Sequence, residues 1–461
     1  MRLIIRLVPR LVRSRRRVSF LFSTSILISL IIILFVINHD QESKVSLNNP
    51  VKTYDKQLVL SHNVTTLFQK TIPIQKKITW PLDEQGRSLK TDFIVLDWTG
   101  FFGAAAGEGE RVHCPSSNAM FTWTHQKNRI DDIDFIISHD AGAGLSIPFD
   151  RLSLNNDRQQ YTMAFIIESE VHSSTGDAWA RFNFKMTYNL DDSYPEPATY
   201  FDMNPFIIDL LKPPVVPFES KDKQADVVWI ISNCHAHNGR ELFVQQLMLE
   251  LKVDSYGGCL NNRQGYGARM VDNFAAYKNY KFVIAIENSN CQDYVSEKLI
   301  LAVSSGSIPI VAGFNGRPDY RRYMPEHSYI NVFDYSSIKE LANDLKRIGS
   351  NKTLYESYLW YKKYDHDISK LREMPLNEKL KHLANTIGSN TTMMIDGIAA
   401  KEKSENKVCK LIRFVRQTPW QEISAHKRTS RADSSIACLP GRYIMNYFDS
   451  PQKNTSTTIR S

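Results

Sequence analysis

Between Ala225 and Gly349 two kinds of apolar pattern alternate, and no other feature restricts the architecture of this chain so much. "ADVVWIIS", "FVIAI" and "SIPIVAG" are short apolar runs, the pattern of strands covered on both faces. "RELFVQQLMLELK" instead places Phe243, Leu247 and Leu251 on one helical face, and "EKLILAVSSG" reads as a helix ending at Gly306. "SSIKELANDLKRIG" sets Ser337 and Glu340 at capping-box spacing, puts Ile338, Leu341, Leu345 and Ile348 on one face, and offers Gly349 as C-cap. Strand and helix in this order predict a doubly wound parallel sheet.

Upstream, "TDFIVLDW" (Thr91 to Trp98), "DIDFIISHD" and "YTMAFIIESE" read as further buried strands whose C-terminal ends turn polar. Asp209 to Gln224, "DLLKPPVVPFESKDKQ", has three prolines and reads as a linker. Two α/β domains joined there would face each other across a cleft, the usual place for a ligand.

A charge of +8 suggests nucleic acid, but seven arginines stand in the first 17 residues and the rest is close to neutral, which argues against such a partner. Val18 to Ile37 is uncharged and, as a helix, long enough for a hydrocarbon core of about 30 Å. It reads as a membrane anchor. A cleaved signal peptide is the competing reading, but "INHDQES" has no small-x-small cleavage site. Arginines before the span and acids after it place the N-terminus in the cytosol. The expected organisation is a cytosolic tail (1–17), an anchor (18–37), a polar stem (38–88), two Rossmann-like domains (89–215 and 225–375) and a helical C-terminal region (376–461). Sequons at Asn63, Asn351, Asn390 and Asn454, and six cysteines beyond the anchor, fit an oxidising compartment; the cysteines suggest disulfides whose pairing spacing does not give.

"IENSNCQDYVSEKL" (Ile286 to Leu299) concentrates charge between the strand "FVIAI" and the next helix. A helix N-terminus beyond a parallel strand presents N–H groups and a positive dipole end to an anion. A nucleotide diphosphate suits that place, with Lys298 neutralising it, Glu287 or Glu297 accepting from sugar hydroxyls and Tyr294 stacking or bonding a phosphate. A solvated, acid-rich helix start remains the alternative. No Gly-rich phosphate loop points to a dinucleotide or NTPase site. "DDID" (Asp131 to Asp134) looks like a metal motif but precedes its strand, and reads as a solvated strand start. "KEKSENKVCKLIRFVRQ" reads as an amphipathic C-terminal helix.

"FVIAIENSNCQDYVSEKLILAVSSGSIPIVAG" resembles the signature segment of the α1,3-fucosyltransferase family, and "WIISNCHAHNGRELFVQQLMLELKVDSYGGC" and "YESYLWYKKY" are similar to its flanking segments. "FIIESEVHSS" followed by "FNFKMTYNLDDSY" is similar to the acceptor-side motifs, departing from Glu-Ser-Pro at Glu170. The resemblance covers roughly 92–363. It implies a GT-B fold of two Rossmann-like domains in a single-pass type II Golgi membrane enzyme with a lumenal body. The implied reaction moves L-fucose, with inversion, from GDP-fucose to the 3-OH of N-acetylglucosamine on an N-glycan or glycolipid. Carried over residue by residue, Glu168 is the implied base. Arg240, Glu287, Asn288, Tyr294, Glu297 and Lys298 are the implied donor pocket, and Ser232, Asn233 and Tyr256 stand where they could line its cleft. No essential metal is implied, manganese acting at most as a stimulant. Two other readings stay open, a GT-B enzyme using another nucleotide sugar and a non-catalytic Golgi protein that binds GDP. Core and antenna acceptors are both open.

Overall fold

The computed structural model describes residues 80–450 apart from 101–106, 140–142, 151, 153–158, 174–175, 199–202, 223–224, 266–272, 363–366, 389–391, 401–404 and 427–437. The predicted tail, anchor and most of the stem lie outside the described residues, among which no helix is long and apolar enough to cross a membrane. Residues 80–88, read above as the end of the stem, belong to the body. Trp80 is buried against Phe93, Phe135 and Tyr161, and its indole N–H donates to Asp134 at 2.8 Å.

The first sheet is built from β1 (Asp92–Asp97), β2 (Arg111–Cys114), β3 (Ala119–Thr124), β4 (Phe135–Ser138), β5 (Tyr161–Ile166) and β6 (Phe184–Thr187). Its order is β2-β3-β1-β4-β5-β6, parallel throughout except for the antiparallel pair β2 and β3. β4, β5 and β6 are buried along their whole length, which is why their sequences show no polar alternation. Asp134, expected as a solvated strand start, is fully buried and accepts from Trp80, Lys90 and the Ile94 amide. Burial raises its pKa despite the opposing pull of Lys90. Here an apparent metal motif contributes a buried carboxylate that ties the start of β4 to β1 and to the segment before it.

α1 (Met203–Leu211) then ends ahead of Pro213 and Pro214, so the connection to the second sheet begins at Lys212 rather than Asp209. The second sheet comprises β7 (Val227–Ile230), β8 (Val253–Tyr256), β9 (Phe282–Ile284), β10 (Ile308–Val311) and β11 (Ile330–Asn331), interleaved with α2 (Arg240–Glu250), α3 (Asn273–Tyr277) and α4 (Glu297–Ser304). All of its strand pairs are parallel, in the order β11-β10-β9-β7-β8. The chain moves from β7 outward to β8 and then crosses to β9 on the other side. That switch opens a crevice at the carboxyl ends of β7 and β9. α5 (Ile338–Ser350) follows, with Ser337 Oγ accepting from the Glu340 amide at 3.1 Å. Gly349 is not its C-cap but a buried helical residue; an added Cβ would stand 2.7 Å from Asp226.

The C-terminal segments return to both sheets. After α6 (Lys352–Ser357), α7 (Ile368–Glu373), α8 (Leu376–Ile387) and α9 (Thr392–Ala400), α10 (Lys407–Gln417) buries Val408, Leu411, Ile412 and Val415 in the core of the first sheet. The Cys114–Cys409 disulfide fastens it there. After α11 (Trp420–Ala425), α12 (Tyr443–Asp449) packs Ile444 and Met445 into the core of the second sheet.

Two lysines are buried where the connection meets the second sheet. The Lys221 ammonium, on a residue 2% exposed, donates to the carbonyls of Lys278 and Tyr280 and to Ser307; Lys362 donates to the Asp209 carbonyl. Burial lowers each pKa to about 7. The unfolded chain keeps these protons into the ordinary lysine range, so between about pH 7 and pH 10 it binds more protons than the folded chain. Stability therefore rises with pH across that window, by up to about 1.4 kcal/mol per pH unit for each lysine. Urea midpoints at pH 6.5 and 9 check this; Lys221→Met flattens the rise.

Candidate active site

The loop from Ala285 to Ser296 leaves β9 at the crevice and enters α4. It is closed from within. Glu287, 2% exposed, accepts from the Ser296 amide at 2.7 Å and from Ser296 Oγ at 2.8 Å. Asn290 donates to the carbonyls of Ala312 and Arg317 and accepts from Asn238, which also donates to the Glu287 carbonyl. Asp293 adopts a left-handed backbone, φ 58°. Its buried carboxylate accepts from the Leu190 amide of the first half at 3.1 Å and pairs with Arg322 at 3.2 Å. The dense charge of this segment thus maintains an irregular backbone in a buried place.

Glu168 stands two residues beyond β5 and reaches across to this loop. Its Oε1 accepts three hydrogen bonds, from the Ser169 amide at 2.8 Å, Asn288 Nδ2 at 3.0 Å and the Tyr294 hydroxyl at 2.5 Å. Its Oε2 accepts none from the described residues. The two oxygens of this carboxylate are therefore in different surroundings. Tyr188, just after β6, packs on Tyr294 with ring centroids 4.8 Å apart and accepts from the Glu170 amide at 3.2 Å. A proline at position 170 could not make that bond, so the departure from the family motif adds a link between the ends of β5 and β6.

One buried and one half-buried cation lie on the other side of the loop. Arg240, at the start of α2 and 2% exposed, donates through Nη1 to the Ile286 carbonyl at 2.8 Å and through Nη2 to the Asn233 carbonyl at 3.4 Å; its Nε has no partner. Burial depresses its pKa, opposed by Glu287, and the guanidinium stays charged. Lys298 pairs with Glu287 at 3.0 Å and Glu297 at 3.1 Å and donates to Ser296 Oγ at 2.7 Å. Burial pulls its pKa down, but the two glutamates outweigh this and leave it raised. Glu297 is correspondingly lowered, the Lys298 cation overcoming its own desolvation. Two cations and two carboxylates balance here, Lys298 held by the acids and Arg240 by carbonyls, rather than forming a bare positive patch.

Glu168, Arg240, Glu287, Asn288, Tyr294, Glu297 and Lys298 therefore belong to one connected group. Asn233 joins it through its carbonyl, and Ser232 is exposed beside it. Tyr256 does not join: it is buried, and its hydroxyl pairs with that of Tyr280 at 2.9 Å, which donates to Asp254 at 2.8 Å. It ends its strand in the core because the next turn at Gly257, φ 86°, packs against the Ile231 carbonyl, where an added Cβ would stand 2.7 Å away. The sequence did not single out Tyr188, Asp293, Arg322, or His172 and His237, whose rings meet edge to face from the two halves with centroids 6.5 Å apart. Partial burial, then His172, hold His237 below its ordinary pKa. "EVHSS" and "CHAHN", within the quoted segments, carried the only available signal for that pair. Asn351 caps α6 by accepting from the Leu354 amide at 3.0 Å; sequons Asn63, Asn390 and Asn454 lie outside the described residues. No group of three or more His, Cys, Asp or Glu arranged to hold a metal occurs among the described residues.

All six cysteines pair, as Cys114–Cys409, Cys234–Cys259 and Cys291–Cys438. The third joins the signature loop to a C-terminal strap, which also bonds Leu439 N to the Asn290 carbonyl at 2.8 Å and Arg442 N to the His237 carbonyl at 2.7 Å. Breaking either long-range bridge costs about 2–5 kcal/mol of stability. Cys438→Ser is expected to weaken ligand binding at the loop as well, and Cys409→Ser to leave it unchanged; calorimetric titration beside thermal unfolding checks the contrast.

Residues 220–422 match the model of glycosyltransferase family 10 (fucosyltransferase), C-terminal part. The chain is 29% identical over 259 residues to glycoprotein 3-alpha-L-fucosyltransferase A of Drosophila melanogaster, covering 55% of this chain and 48% of that one. It is 32% identical over 186 residues to human 4-galactosyl-N-acetylglucosaminide 3-alpha-L-fucosyltransferase 9, covering 40% and 47%. Against alpha-(1,3)-fucosyltransferase C of D. melanogaster the identity is 28% over 350 residues, covering 67% and 77%. The chain thus spans about half the length of the first two relatives. The matched segment contains the crevice of the second sheet, Arg240, Lys298 and the whole signature loop, and it is through this part that the chain is similar to the glycosyltransferase family 10 fucosyltransferases.

Proposed function

We propose that this chain is an inverting α1,3-fucosyltransferase of GT-B architecture, with 89–215 as the acceptor-side domain and 225–375 as the GDP-fucose-binding domain. The observation that carries the reading is the division of labour on Glu168, one oxygen fixed by three donors and the other unoccupied, opposite Arg240 and Lys298. In the proposed step the acceptor 3-OH of N-acetylglucosamine attacks the anomeric carbon of fucose and its proton passes to Glu168 Oε2. The anomeric carbon–oxygen bond breaks, and its electron pair leaves on the β-phosphate of GDP. Charge grows on that phosphate as the bond breaks, and donors already fixed in a buried site stabilise it without reorganising. Arg240, with its unpartnered Nε, and Lys298 are those donors. With cations in this role manganese is a stimulant and not a requirement.

The acceptor is a glycoprotein or glycolipid glycan, and the setting is the Golgi membrane, with a single-pass type II anchor at Val18–Ile37 and a lumenal body. The arginines before that run and the pairing of all six cysteines support this placement. A donor panel by thermal shift tests the reading, because a ligand that binds only the folded state raises its apparent stability. GDP and GDP-fucose raise the melting temperature of the purified chain and UDP-sugars do not; the reverse ranking sinks the proposal.

A further inference from the structure

Beside the loop that follows β6 lies a cavity of about 140 Å³ whose walls include Trp179, Lys185, Asp191, Asp192, Tyr194 and His426. At about 30 Å³ per water it has room for about five waters, the bulk of a single sugar ring. Its charges are already arranged. Lys185 pairs with Asp192, its ammonium 4.4 Å from the centre of the Trp179 ring. Asp191, more than half exposed, accepts from Gln292 of the signature loop at 2.6 Å and is 3.8 Å from Arg322. His426, from the end of α11, lies flat on Tyr194, ring centroids 3.5 Å apart and planes within 5°, and is exposed.

These features select a class of ligand. Both cations near the rim are already paired with its carboxylates, Lys185 with Asp192 and Arg322 with Asp191, which disfavours an anion. Carboxylate oxygens accept from hydroxyl donors, and a flat stacked ring pair offers an apolar face to the C–H side of a pyranose. Position adds a second constraint: Tyr188, which packs on Tyr294 beside Glu168, precedes Asp191 by three residues, a span of at most about 11 Å. The cavity is therefore within reach of a di- or trisaccharide whose terminal hydroxyl meets Glu168.

Resting on the reaction proposed above, we infer that this cavity is an acceptor subsite for a neutral sugar ring one or two units away from the fucosylated residue. The chain then selects acceptors by length, and His426 supplies a stacking face. The test uses the purified full chain and GDP-fucose with a neutral acceptor series from N-acetylglucosamine to its β-linked trimer. His426→Ala is expected to raise KM for the trimer about 10-fold while leaving its kcat and the KM values of GDP-fucose and the monosaccharide unchanged; His426→Phe restores the trimer KM. An unchanged trimer KM, or an equal rise for monosaccharide and trimer, overturns the inference. Saturation-transfer NMR with the trimer alone keeps the two proposals separable. A trimer signal that His426→Ala abolishes supports the subsite even in a chain that transfers no fucose, and a signal that the variant leaves unchanged removes the subsite even in a chain that does.

Discussion

Glu168→Gln is expected to lower fucose transfer by about 10²- to 10⁴-fold, the range over which a positioned general base acts. The amide is isosteric, and its oxygen can keep the three bonds that Ser169, Asn288 and Tyr294 make to Oε1. Only the free oxygen changes, into an NH2 that cannot take a proton. GDP affinity and thermal stability should therefore stay at the level of the unmodified chain, measured by calorimetric titration and thermal unfolding. Tyr294→Phe makes the complementary change. It keeps the packing on Tyr188 but removes one of three donors, so it should reduce transfer by a smaller factor, about 10-fold, through a looser carboxylate.

The second large effect is expected from Lys298→Met. Removing one partner of a buried charge pair costs about 2–5 kcal/mol, which in donor affinity corresponds to a loss of about 30-fold or more. The same change leaves Glu287, 2% exposed, with an unbalanced charge, so stability also falls, by about 3–5 kcal/mol. The double variant Lys298→Met with Glu287→Gln separates the two effects. It is expected to regain most of the stability, because neither charge remains to be compensated, and none of the donor affinity. Recovery of donor binding in the double variant would mean that Lys298 serves the fold alone.

What could be read from the sequence was local. The second sheet announced itself because β7, α2, β9, α4, β10 and α5 each show their period within about a dozen residues, and a parallel arrangement of such elements leaves few topologies. The loop after β9 was legible because charge between two apolar runs is unusual whatever the fold. Contacts between distant segments left no such trace. Trp80 looks like part of a polar stem until Asp134, 54 residues later, receives its indole N–H. Asp134 itself looked solvated because its partners, Trp80, Lys90 and Ile94, are separated from it by at least one strand. The disulfide partners Cys114 and Cys409 are 295 residues apart, and Cys291 and Cys438 are 147 apart. Tyr256 was placed near the cleft by its position at a strand end, whereas the turn at Gly257 seats it in the core.

The residues of the candidate site divide in the same way. Lys298 follows from the rule that helices after parallel strands begin at the crevice, whereas Arg240 entered only through the family resemblance. That Glu287 spends both of its oxygens on Ser296 and Lys298 follows only from the folded loop. The link from Asp293 to Leu190 and Arg322, which joins the two halves beside Glu168, depends on a left-handed residue that sequence spacing does not reveal.

The central claim is that Glu168 and the signature loop together carry out an inverting fucosyl transfer. Proton NMR of the sugar product formed by the purified chain from GDP-β-L-fucose and a glycan ending in N-acetylglucosamine tests it most directly. The account predicts an α-linked fucose on the 3-OH, formed by the unmodified chain and lost in Glu168→Gln. A β-linked product, or undiminished α-linked product from Glu168→Gln, would contradict it.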